Sequence, residues 1–157
     1  MTDARWIEGN SDLAAAVEHY GKAIGLYRAG GFDAPDLDGY RSAMALMHSL
    51  QSAHTSLEGA LLRILEMLGE ERPVGENWHA DLIKRVAMPR PGKRPAILPT
   101  HLAASADETR RFRHRATHNY DSFRVDECAR TISAAELLRD HLQTAIAEFQ
   151  IIIDPPA

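Results

Sequence analysis

The chain has 157 residues, enough for one domain with its own core. Its 45% hydrophobic and 25% charged content excludes overall disorder and matches an ordinary globular protein. The formal net charge of −4 hides an asymmetry: Lys84 to Arg115 carries nine Lys and Arg against Asp107 and Glu108, an excess of +7 that leaves −11 on the remainder. Such a stretch is an electrostatic address for an anion, or a solvated loop, and charge alone does not choose between them. One cysteine, Cys128, excludes an intramolecular disulfide and a cysteine zinc site and fits a reducing, cytoplasmic setting. The N-terminus has no apolar run resembling a signal peptide. No stretch approaches the roughly 18 apolar residues of a membrane span.

In chain order, residues 1–10 read as a flexible tail. Ser11-Asp12 offers an N-cap for a first helix, with Leu13, Val17, Tyr20, Ile24 and Tyr27 at helical spacing. Gly30-Gly31 stops it, and Pro35 suits the edge of the next helix. The second and longest helix runs from about Asp36 to Gly69, with Tyr40, Met44, Met47, Leu50, His54, Leu57, Leu61, Ile64 and Leu68 forming an apolar stripe. Asn77 caps a short third helix through Trp78, Leu82, Ile83 and Val86. The basic Pro89 to Pro95 loop contains three prolines that preclude a regular helix; it reads either as a groove-lining segment or as a plain crossover. Pro99-Thr100 begins a fourth helix running toward Tyr120, and a fifth extends from about Val125 to Ile153. The expected architecture is all-α: an antiparallel four-helix bundle with one short extra helix, a single domain over 1–157.

The densest chemistry lies in Arg110-Arg111-Phe112-Arg113-His114-Arg115-Ala116-Thr117-His118-Asn119-Tyr120-Asp121. Arginine forks suit phosphate oxygens, and an imidazole near neutral pKa can move the protons of phosphodiester cleavage without a metal. At roughly 100° per residue, Arg113 and Tyr120 share a face, whereas Arg113 and His118 diverge by about 140°. They face one ligand if the helix ends or unwinds between them, or if a second subunit completes the site. His114 and His118 have a zinc-compatible spacing but no obvious third ligand, so no metal or other cofactor is expected. His54 on the apolar stripe reads as a packed core histidine, His79 beside Trp78 as structural, and Cys128 as a small buried hydrophobe. Tyr20, Tyr27 and Tyr40 read as core.

Arg113, His118 and Tyr120 spell R-x4-H-x-Y, which resembles the signature of the HEPN superfamily and, within it, HepT-like toxin ribonucleases. The polar His114 after Arg113, the Asn77-Trp78-His79 helix start and the proline-rich loop also resemble that branch. The similarity covers about Tyr40 to Ile153. The resemblance implies a helical homodimer with a composite cleft and metal-independent endoribonuclease activity, with Arg113 and His118 catalytic. It also implies AMP transfer from ATP to Tyr120 by a cognate minimal nucleotidyltransferase antitoxin. No Gly-Ser…Asp-x-Asp nucleotidyltransferase pattern occurs in this chain, so that partner is a separate protein. Under this reading Arg110, Arg111 and Arg115, with His114, support RNA binding, and Tyr120 contacts RNA as well as being the regulatory residue. The alternatives are a non-catalytic HEPN-fold module that binds RNA, nucleotide or protein, and a purely structural bundle.

Overall fold

A computed structural model of the chain describes residues 4–118 and 123–157. Its helices are α1 (Ala4–Ala29), α2 (Asp36–Met67), α3 (Trp78–Ala87), α4 (Thr100–His118) and α5 (Ala129–Ile153). The four long ones form the expected all-α bundle: α1 packs on α2 and α5, α4 packs on α5 and α2, and α3 lies against α2 and α4. Tyr20, Leu50, Leu57, Leu61, Ile64, Leu102, Leu138 and Leu142 are among the side chains that fill the interior. They recur at three- and four-residue steps, which is the stripe geometry that closes a bundle.

Three sequence expectations differ from the structure. Residues 4–10 are not a tail, because α1 begins at Ala4 and Trp6 is buried in the core. With the helix starting earlier, Asp12 does not cap it. Asp12 and Glu8 instead hold Arg63 of α2, at 2.8 and 2.6 Å. Tyr40 is not core but 63% exposed, since the stripe of α2 turns inward only from Leu46. Tyr20 is fully buried, and Tyr27 packs at the core margin.

Elsewhere the differences are at element ends. Asn77 sits at the start of α3 but makes no side-chain cap bond. Val125–Glu127 forms a 3-10 turn ahead of α5, and Ile151 to Ile153 extend that helix.

The proline loop is anchored rather than free. Val86 carbonyl accepts from the Ile97 and Leu98 amides, and both side chains are buried. The turn closes through paired backbone bonds between Arg90 and Arg94. Arg94 is itself buried, with its guanidinium on Glu70 at 2.5 and 3.0 Å. Part of the basic excess in this stretch is therefore neutralised inside the fold.

Candidate active site

Arg113 and His118 sit on the last two turns of α4, which remains helical through His118. Arg110, Arg113, His114, Thr117 and His118 line a cleft of about 370 Å³, opposite His54 of α2 and Glu76, Asn77, His79 and Ala80 around the start of α3. The roughly 140° between Arg113 and His118 is thus the width of one helical face, whose edges they mark. Neither unwinding nor a second chain is required to bring them to the same cleft. Tilting of side chains toward the helix N-terminus and the length of arginine carry Arg113 back toward α2.

What Arg113 meets there was not singled out in the sequence. Its Nη1 donates to Oε1 of Glu58, a carboxylate only 3% exposed. The other oxygen, Oε2, accepts from His79 Nδ1 at 2.5 Å. It also lies 3.5 Å from His54 Nε2, yet that contact lacks hydrogen-bond geometry, and Nε2 is an unpaired buried polar atom. On its other side, His54 Nδ1 meets Thr109 Oγ1 at 2.8 Å. Thr109 in turn bonds the Tyr20 hydroxyl at 3.0 Å and donates to the Ala106 carbonyl at 3.0 Å. A polar chain therefore crosses the core from α1 to the cleft and ends on Arg113 and His79.

Charge along this chain follows from its surroundings. Burial pushes the Glu58 carboxyl upward, but the imidazoles of His54 and His79 and the Arg113 guanidinium gathered around it outweigh that and hold the group down at about 2. Glu58 is therefore an anion at neutral pH. Burial drives His54 below its ordinary value, against the opposing pull of Glu58, so His54 is neutral. Burial also raises Tyr20 well above the usual phenol range.

The remaining expected residues separate into two groups. Arg110 lines the cleft while its Nε holds Asp107 at 2.7 Å. His114 and His118 meet edge to face, ring centroids 4.2 Å apart. Arg111, also on Asp107 at 2.9 Å, and Arg115, 3.9 Å from Glu108, are exposed outside the cleft. Arg115 instead borders a small hollow with Phe112, Phe123 and Cys128; burial pushes the Cys128 thiol up to about 11. Tyr120 lies outside the described residues. Among the described residues, no three His, Cys, Asp or Glu side chains gather into a metal-holding cluster, and no helix is long and apolar enough to cross a membrane.

Glu58 and Thr109 were the residues missed, and one signal was available. His54 and Glu58 form H-x3-E on the inward stripe of α2, and a charged residue on an apolar stripe needs a partner.

A family model described as HepT-like protein matches residues 45–153 of the chain. No curated protein and no solved structure matches it.

Proposed function

The chain belongs to the HepT-like family of the HEPN superfamily, and from that premise we propose that it is a metal-independent endoribonuclease, the toxin of a toxin–antitoxin pair. The observation that carries this reading is the convergence of Arg110, Arg113, His114 and His118 on one cleft. Arg113 is held at its edge by the buried anion Glu58.

A phosphodiester lying across α4 meets the guanidinium of Arg113, whose remaining N–H groups are suited to the charge that builds on phosphorane oxygens. His118 moves a proton at the reacting oxygens, and Arg110 with His114 neutralises the flanking backbone. Two such chains form a homodimer whose clefts join. Tyr120, two residues beyond His118 in the motif, is the site where a separate minimal nucleotidyltransferase antitoxin adds AMP from ATP. The added phosphate places bulk and negative charge beside an anion site, which disfavours RNA. The protein acts in the cytoplasm.

The test is cleavage of single-stranded RNA by purified protein in EDTA, with a 2′,3′-cyclic phosphate product. His118→Ala is expected to lower kcat about 100-fold or more; a variant as active as wild type rejects the assignment. RNA bound without cleavage by the wild-type protein, with steep salt dependence, identifies a binding module instead. Co-expression with the antitoxin is expected to add the mass of AMP to Tyr120.

A further inference from the structure

Glu58 holds two cleft residues at once, Arg113 and His79. Its Oε1 pairs with Arg113, while its Oε2 takes the Nδ1 proton of His79 at 2.5 Å. A carboxylate on Nδ1 sets the tautomer of an imidazole, leaving the lone pair on Nε2. The His79 ring is fixed further by stacking on Trp78, with centroids 3.6 Å apart. It is only partly buried and lines the same cleft as Arg113 and His118. An oriented imidazole, backed by a buried anion that stabilises the imidazolium it becomes, is the arrangement a general base requires.

We propose that His79 is the second acid–base residue of the cleft: the general base that takes the 2′-hydroxyl proton at Nε2, with Glu58 as its positioning residue. The inference rests on the ribonuclease reading. As the 2′-oxygen bonds to phosphorus, its proton passes to His79 Nε2. The P–O5′ bond breaks, its electron pair goes to the 5′-oxygen, and that oxygen takes a proton from His118. The products are a 2′,3′-cyclic phosphate and a 5′-hydroxyl, and proton exchange with water resets both histidines. The groups around His79 are compatible with this assignment. From α2 it faces the anionic Glu58 and the neutral His54, from α4 Arg110, Arg113, His114 and His118, and from its own segment Glu76.

The experiment compares an RNA carrying one scissile phosphodiester with the same RNA carrying a 5′-bridging sulfur, which departs without needing a proton. On the oxygen substrate, His79→Ala and His79→Gln are each expected to lower kcat about 100-fold or more, with RNA Kd little changed. Glutamine keeps an N–H for Glu58, so a merely structural role predicts wild-type activity for His79→Gln. The sulfur substrate is expected to restore His118→Ala and to leave both His79 variants slow. Wild-type cleavage with an unimpaired His79→Gln, or sulfur rescue of His79→Ala, overturns the inference alone. A wild-type chain that cleaves neither substrate overturns the ribonuclease reading and this inference with it.

Discussion

Two glutamate side chains of this protein are covered against arginines, one by the start of α3 and one by its end, and they are closed to different degrees. Glu70 is gripped by the fork of Arg94, whose other N–H groups donate to the Met88 and Pro95 carbonyls at 3.0 and 3.1 Å. Both side chains are at most 5% exposed. Glu58 is equally buried, but it is shared between Arg113, His79 and an imperfectly placed His54, and Arg113 stays 28% exposed at the cleft. The same carboxylate–guanidinium chemistry thus makes a latch where every group is satisfied and a hub where some capacity faces solvent. Size does not separate them: the hollow beside the latch, about 540 Å³, exceeds the cleft at the hub.

Separating fold from chemistry is the strongest way to test that contrast. Arg94→Ala leaves the Glu70 charge buried and releases the proline loop, so it is expected to cost about 3–5 kcal/mol in denaturant unfolding. The protein that remains folded should still cleave RNA. Glu58→Gln keeps the shape of the hub and is expected to cost less, about 1–3 kcal/mol, while lowering RNA cleavage about 100-fold or more. Equal effects of the two substitutions on both measurements would erase the distinction.

Acid titration probes the same contrast. Glu58 drops from 4.5 to about 2 on folding. Glu70 is also lowered, chiefly by its hydrogen bond to Arg94 and against the cost of burial. A carboxyl whose folded pKa is depressed contributes stability above its unfolded pKa and loses it as pH falls through the folded value. For Glu58 that stability is lost between about pH 4.5 and 2. His54, kept neutral by burial, adds an earlier loss that begins as pH falls below its unfolded value near 6.5. Unfolding free energy measured against pH should therefore decline in two stages, and Glu58→Gln should flatten the lower one.

The smallest of these effects belongs to the relay behind the hub. Thr109→Val removes the hydroxyl between Tyr20 and His54 without changing side-chain shape, and should cost about 1–3 kcal/mol by chemical denaturation. A neutral substitution would mean that this chain of hydrogen bonds contributes little.

Much of the protein was legible before folding was considered. Apolar residues at three- and four-residue steps reported the helices and the bundle, because a helix buries one stripe and the period follows from its geometry. Gly30-Gly31 and Gly69 marked helix ends, since they adopt the positive φ that other residues resist. Less legible was the start of α1, where Gly9 and Asn10 are poor helix formers but Trp6 is held by core contacts. Tyr40 followed the period of α2 and still faces solvent, because at that end of α2 the buried position is Gly39 and the buried apolar stripe begins at Leu46.

By itself, then, the sequence determined the helices and picked out Arg113, His114 and His118, whose chemistry and spacing are local properties of one segment. It carried H-x3-E on α2 without saying what those groups meet. Only the tertiary structure decided that Glu58 grips Arg113, 55 residues away, that His54 reaches Thr109, also 55 away, and that His79 joins the same carboxylate from α3. Periodicity reports which face of a helix turns inward, but a partner across the core is fixed by how whole helices pack. The Arg110–Asp121 stretch therefore supplied Arg113, His114 and His118 to the cleft, and the fold supplied the buried anion that holds Arg113 and His79.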